Sequence, residues 1–418
     1  MNTKLVTIIG LIFIVSTLNT QCKDEMVKPI SNTNSINGAL ALDTIWSRAL
    51  PFSINPILNG NGDILMSNQY DISSNNEVFK LFDGTTGELK WQWNDYFRTE
   101  NDFNDERHTI INDELILCSH NATYALNILT GKTTWKHYMD TMYGEPFIFK
   151  DDDGYLYHGF KGEKGSYNYF IFRTKYNVLN WELLCTFHDS TNKFDNLTSL
   201  SLSVINNIKN EKVILYTLTS SGSVIPNAKI CCYNINKNKY DWIKDYSNKY
   251  AFFSTCKMLT TSQKAFGISI NGATAFLTAI NISDGTLVWE KTLPEWGVNL
   301  FLYNNNIVSI CSGSSPIQCY DQNTGNLVWQ QNFTPTDLAK LNFTFGDANI
   351  FKNYLFSTQC KNLLVLNLDN GAVIYNKQVA LPEGCLQYGV AINEQKRWFY
   401  VQDRNNVVCY KLPIEIKY

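Results

Sequence analysis

Leu81-Phe82-Asp83-Gly84-Thr85-Thr86-Gly87-Glu88-Leu89-Lys90-Trp91 is a short apolar run, a turn, and a second run reaching an aromatic residue, and the chain repeats it. The copies run from Ala125 to Trp135, Ala279 to Trp289 and Cys319 to Trp329, with a weaker one from Val365 through Asn367 and Gly371 to Tyr375. Each has Asp or Asn at the end of the first run, then a turn glycine (Gly87, Gly131, Gly285, Gly325 or Gly371), then the aromatic residue. This is the chemistry of a β-hairpin. Asp and Asn side chains bond nearby backbone in turns, and glycine takes the positive φ that other residues resist.

Two degenerate copies extend the series, Ile171 to Trp181 with Asn177 at the glycine place and Cys232 to Trp242 with Asn238 there. Asn is the best substitute for glycine in a left-handed conformation. With Trp46 upstream, the aromatic anchors are Trp46, Trp91, Trp135, Trp181, Trp242, Trp289, Trp329 and Tyr375. Most lie about 45 residues apart, a period typical of propeller blades. Apolar strands fall between the hairpins, at Asp63 to Ser67, Glu114 to Ser119, Tyr155 to Phe160, Lys212 to Thr219, Ala265 to Ile270, Asn306 to Cys311, Tyr354 to Thr358 and Arg397 to Gln402. The last repeat supplies strands only through Val407 to Leu412, while Trp46 has no hairpin before it. The strand around Ile45 and Trp46 is therefore expected to complete the final blade. The fold class is an all-β, eight-bladed β-propeller over residues 39–418, its ring closed by an N-terminal strand that removes open sheet edges.

The composition agrees: of 418 residues, 44% are hydrophobic, 14% aromatic and only 17% charged. A net charge of −3 with no concentrated basic stripe argues against a nucleic-acid partner. Lys4 and the apolar run Leu5 to Leu18 read as a signal peptide over residues 1–21, too short for a comfortable membrane span. Cys22, followed by Lys23, Asp24 and Glu25, stands where a bacterial lipoprotein is acylated. Residues 22–38 then form a polar tether. The expected location is a lipid anchor on the cell-envelope membrane, facing the periplasm or the outer membrane, with secretion as the alternative. The folded part is expected to be soluble and monomeric. The other ten cysteines include Cys118 and Cys311 in apolar runs and Cys232, Cys319 and Cys409 at one repeat position, as core thiols would be.

The pattern Asp-x-x-Thr-Gly-x-x-x-Trp, clearest at Asp83 to Trp91 and Asp321 to Trp329, resembles the pyrroloquinoline-quinone (PQQ) type of propeller repeat. WD40-like and kelch repeats fit less well, lacking their Gly-His/Trp-Asp and diglycine signatures here. The resemblance implies one of two branches: quinoprotein dehydrogenases that hold PQQ and calcium near the axis, or non-catalytic propellers such as the lipoprotein of outer-membrane β-barrel assembly. Cys231-Cys232 matches the vicinal disulfide of the dehydrogenases, yet Cys232 occupies the strand position of Ala125, Ala279 and Cys319. Asp151-Asp152-Asp153-Gly154 offers carboxylates but not the spacing of a calcium loop. His108, His120, His137, His158 and His188 show no zinc spacing. Gly60 and Gly62, and Gly162 and Gly165, read as turns rather than nucleotide loops. The long interval after Trp181 contains a polar stretch, Phe187 to Leu200 with Phe194, expected to be an extended loop. No catalytic residue, cofactor or metal is assigned. The expected function is a non-catalytic exported scaffold, tethered through Cys22, that binds a protein or envelope component through its loops. A PQQ- and calcium-dependent dehydrogenase and a carbohydrate-binding surface protein are the alternatives.

Overall fold

In the computed structural model the hairpins belong to eight small antiparallel sheets, seven of four strands and one of five. The structure describes residues 43–50, 56–67, 79–96, 108–111, 113–118, 122–138, 143–161, 168–175, 181–188, 202–219, 228–250, 252–253, 258–294, 298–311, 316–332, 348–359, 362–378, 386–403 and 406–417. All of them fall within one compact unit, Leu40–Tyr418. Seven blades are simple meanders, from blade 1 (residues 57–93) to blade 7 (residues 348–378). Blade 8 takes its first three strands from Leu386–Asn393, Trp398–Asp403 and Asn406–Lys411, and its fourth from Thr44–Ala49. Trp46 lies opposite Cys409 and Ala49 opposite Asn406. The ring is closed by the N-terminal strand, as the unpaired Trp46 requires.

The order of strands within a blade follows from what each must bury. The first strands of blades 8 and 1, 2 and 3, 3 and 4, 4 and 5, 5 and 6, and 7 and 8 adjoin, so they form the inner wall. In blade 5 this strand is split into Phe252–Phe253 and Leu259–Thr260, both paired with Lys264–Asn271. The third strands are covered on both faces by neighbouring blades and so lose the polar alternation of a half-buried strand. Ala122–Asn127 is buried at every position but its last. The fourth strands are covered less fully, and Lys239–Asp245 alternates between exposed and partly buried residues.

The hydrophobic core is correspondingly divided into eight clusters, one at each seam between blades. Sheet stacking supplies the stability, at about 25 cal/mol per Å² of apolar surface removed from water. Among the described residues no helix is long and apolar enough to cross a membrane.

Close approach makes two glycines irreplaceable. A Cβ on Gly84 would stand 1.8 Å from the carbonyl oxygen of Gly62, a contact between two backbones that no rotamer relieves. A Cβ on Gly131 would stand 2.5 Å from the Trp91 ring, at a φ of +68°. Gly154 has a similar φ of +78° but open space around it. Gly131→Ala should therefore lower the unfolding free energy by about 2–4 kcal/mol, and Gly154→Ala by only about 1 kcal/mol. Urea unfolding of the two variants checks this. Equal losses would mean that ring contact adds nothing to backbone strain.

Candidate functional site

Strand polarity puts the first turn of every blade, and the third turn of blades 1 to 7, on one face of the ring, here called the turn face. Its architecture starts at the Asp or Asn of each repeat. The Asp83 carboxylate accepts the backbone N–H groups of Thr85 and Thr86, which hold its pKa below the usual carboxylate value with Thr86 the larger cause. Asn127 does the same for Leu129 and Thr130, and Asp321 for Asn323 and Thr324. The turn glycine N–H donates to the carbonyl of the Asp or Asn at 2.8–2.9 Å in all five full copies.

The residue after that Asp or Asn joins two blades. In the hairpins of blades 2, 5, 6 and 7 it is Ile128, Ile282, Gln322 or Leu368, whose N–H donates to the first turn of its own blade at 2.7–3.0 Å. Its carbonyl accepts an indole N–H from the preceding blade: Trp91 to Ile128 at 2.9 Å, Trp242 to Ile282 at 2.7 Å, Trp289 to Gln322 at 3.2 Å and Trp329 to Leu368 at 2.9 Å. Trp46 donates to Gly84 in the same way at 3.1 Å, across the closing seam. In each case the indole lies on the following turn glycine, which has no side chain to obstruct it.

Blade 3 departs from this scheme. Ile171, at the place of Leu81 and Ala125, pairs with Cys185 rather than Trp181. Trp181 precedes the strand Glu182–His188 and packs with Trp135 against the seam between blades 2 and 3. Trp181 is therefore not the anchor toward blade 4, because the strand register sets Cys185 at the anchor position opposite Ile171. A tyrosine network holds the seam between blades 3 and 4 instead. The Tyr233 hydroxyl donates to Leu184 O at 2.7 Å and also contacts Asn238 Oδ1, while the Tyr216 and Tyr240 hydroxyls lie 2.6 Å apart. Asn238 adopts a φ of +51° at the glycine place. Tyr375 is buried between blades 7 and 8 beside Leu412 and Ile416, and burial, with Glu415 adding to it, pushes its pKa up to about 12.

Two clefts open on the turn face among the described residues. One, of about 340 Å³, lies between blades 4 and 5 and includes Asn207, Glu211, Lys237, Asp241, Gln263 and Ser283. Glu211 accepts from Lys237 Nζ at 2.8 Å and from Asn207 Nδ2 at 3.1 Å, which lower its pKa to about 2. The other, of about 570 Å³, includes Tyr375, Arg397, Lys411 and residues 412–417. The connections on the opposite face fall largely outside the described residues. Phe194 with most of the long polar stretch, His120, Gly162 and Gly165 lie outside the described residues, as does Asn177, between the third and fourth strands of blade 3. Cys22 also lies outside them, and of the histidines only the exposed His137 has a described side chain.

Comparison with known proteins bears on what this architecture is. A family profile described as "Outer membrane protein assembly factor BamB" matches residues 267–412. The chain is an eight-bladed β-propeller, and residues 267–412 are similar to that family. No curated protein matches it in sequence. Among solved structures, BamB from Moraxella catarrhalis aligns with a TM-score of 0.51 at 11% identity, over 91% of this chain and 100% of that one. The Dos1 propeller aligns with a TM-score of 0.61 at 11% identity, over 88% and 95%. Quinohemoprotein alcohol dehydrogenase from Comamonas testosteroni aligns with a TM-score of 0.60 at 10% identity, over 89% and 77%. At such identities these likenesses concern the fold alone.

Two features of the propeller bear on a quinone cofactor and its calcium. Cys231 and Cys232 are adjacent in the third strand of blade 4, opposite Tyr216 and Leu215. Successive strand residues point to opposite faces, so Cys231 enters the seam with blade 3 and Cys232 the seam with blade 5. Both are free, fully buried thiols, and this geometry does not fit a vicinal disulfide covering a cofactor. Asp151 closes the first turn of blade 3, accepting the N–H groups of Asp153 and Tyr155 and the Tyr157 hydroxyl. Lys212 of blade 4 pairs with it at 2.6 Å and also reaches Asp153. The carboxylate is thereby satisfied by protein donors. Among the described residues no three His, Cys, Asp or Glu converge as metal ligands.

Two measurements follow. Burial works to raise the Asp151 pKa, but Lys212, the Tyr155 N–H and the Tyr157 hydroxyl together lower it. Its stabilising contribution is thus complete above the unfolded carboxylate range and is lost as pH falls through the lower folded value. Asp151→Asn should cost about 2–3 kcal/mol at pH 7, with the gap to the parent closing below about pH 4. A gap independent of pH in urea titrations would show that the charge is irrelevant. Burial also pushes Cys185, Cys231, Cys232, Cys319 and Cys409 up to about 12. At pH 8 all five should resist an alkylating reagent in the native protein and react once it is denatured, as mapped by peptide mass spectrometry.

Proposed function

We propose that this propeller is a non-catalytic scaffold of the bacterial cell envelope, exported by residues 1–21, acylated at Cys22, and held near its membrane by the polar tether of residues 22–38. Its role is to bind a protein of the envelope, in the manner of an outer-membrane protein assembly factor. The observation that carries this reading is the family match over residues 267–412, which spans repeats whose aromatic anchors and turn glycines are intact. The seams favour it as well. Their polar groups are spent on joining blades, and Cys231 and Cys232 serve two separate cores rather than a cofactor lid. A rigid ring that presents short turns and loops suits binding by surface complementarity. The turn-face cleft between blades 4 and 5 is polar and ion-paired, without the aromatic platform expected of a sugar site.

The test is affinity capture of the acylated protein from detergent-solubilised envelope, alongside Cys22→Ser. The expected result is that a defined envelope protein co-purifies with both forms in detergent, while only the acylated form fractionates with membranes and carries a labelled acyl chain. Reduction of a dye by the purified protein when supplied with PQQ, calcium and an alcohol would replace this reading with the dehydrogenase. Full membrane association and acyl labelling of Cys22→Ser would remove the lipid anchor.

A further inference from the structure

Blade 8 differs from the others at its last turn. Its fourth strand comes from Thr44–Ala49, so the strand Asn406–Lys411 need not turn back and runs on into residues 412–417. Leu412 N–H still donates to the first turn of its blade, at Arg397 O, 2.8 Å away. Beyond it the Arg397 guanidinium donates to Pro413 O at 3.4 Å and Ile416 O at 2.8 Å, and the Tyr354 hydroxyl donates to Lys417 O at 2.7 Å. The segment is clamped in one conformation, with Leu412 and Ile416 buried.

Clamping leaves Ile414 in the solvent, 84% exposed, more than any other large hydrophobic residue among the described residues. Arg397, Lys411, Lys417 and Glu415 line the adjoining cleft, whose apolar walls include Tyr375, Leu412 and Ile416. Asp43 lines the same cleft and pairs with Lys411 at 3.0 Å, both side chains being largely exposed. The chain that leads back to Cys22 therefore joins the body at this corner.

With three cations to two carboxylates, the cleft keeps a positive excess. An apolar side chain held in water beside such an excess is the chemistry of an interfacial contact, in which the apolar group enters the acyl boundary and the cations meet anionic headgroups. We infer that Ile414, with the net-positive cleft beside it, is a contact site for anionic phospholipid of the bilayer that anchors the chain. The inference rests on the tethered reading above. A flexible tether of about 20 residues has a root-mean-square span of about 25 Å, which lets this corner reach the membrane surface.

Vesicle flotation tests it with the full chain carrying Cys22→Ser, so that no acyl chain contributes. Vesicles of phosphatidylcholine alone are compared with vesicles in which roughly a third of the lipid is phosphatidylglycerol. Ile414→Asp should weaken binding to the phosphatidylglycerol vesicles by about tenfold. Lys411→Gln combined with Lys417→Gln should abolish the preference for them. The N-terminal apolar run is common to all these proteins, so differences among them report the corner. Equal binding by all three overturns the contact site while leaving the acyl anchor standing. A chain found unacylated at Cys22 in cells would remove the anchor and leave the vesicle result unchanged.

Discussion

The hydrogen bond from a tryptophan indole to a turn carbonyl of the next blade is the constraint from which the rest of the ring follows. A blade has apolar residues on both of its faces and cannot stand alone, so each must stack on two others. Hydrophobic stacking has no direction and would tolerate sliding. The indole N–H has one acceptor, and its ring lies on a glycine that offers no side chain, so distance and register are both fixed. The carbonyl it uses belongs to a residue whose own N–H is already tied to the first turn of its blade at four of these seams. The bond thus connects one hairpin to the whole turn face of its neighbour. A net worth of about 1 kcal/mol per bond is small beside the buried area, but an orphaned indole would cost more.

How much of this was legible in the sequence depended on how local the cause was. The turn at Asp83 to Gly87 and the anchor Trp91 lie within one hairpin, and the partner turn at Asn127 repeats the same signal, so stacking was visible in the spacing. The closing strand was visible too, because Trp46 lacked a hairpin. The seam between blades 3 and 4 was not. Trp181 has the right residue type near the right place, and only strand register shows that Cys185 stands opposite Ile171. The tyrosines that replace the indole, Tyr216, Tyr233 and Tyr240, come from three successive strands of blade 4, with no repeat to mark them. Trp93 was likewise overlooked, though its indole N–H reaches Thr133 Oγ1 at 2.9 Å and reinforces the seam between blades 1 and 2. Ile414 carries no sequence signal, since its exposure depends on how residues 412–417 are clamped.

The adjacent cysteines show how topology overrides a motif. Cys231-Cys232 would be suggestive in a loop, where the backbone can bend to bring two neighbouring sulfurs together. Within a continuous ladder the pleat separates them by construction. The acidic run at Asp151 makes the same point for charge. A carboxylate that closes a turn, accepts a phenol and pairs with a lysine of the next blade has become part of a seam. In both cases the side chain's strand or turn position decides its chemistry before its residue type does.

Closure by Thr44–Ala49 also has a temporal side. The strand is among the first parts of the body to be synthesised, yet its partner Asn406–Lys411 is among the last. Joining ends separated by so much chain costs about 4 kcal/mol more than closing a hairpin between neighbours, from loop closure alone. Seven blades can add to one another as they emerge, but the eighth cannot be completed until nearly the whole body is present. Until then Trp46 and the edge of Asn406–Lys411 are both uncovered, and a protease or chaperone would meet its substrate at that interval rather than in the finished ring. The closed propeller is thus a record that synthesis reached its last strand, written in the pairing of Trp46 with Cys409.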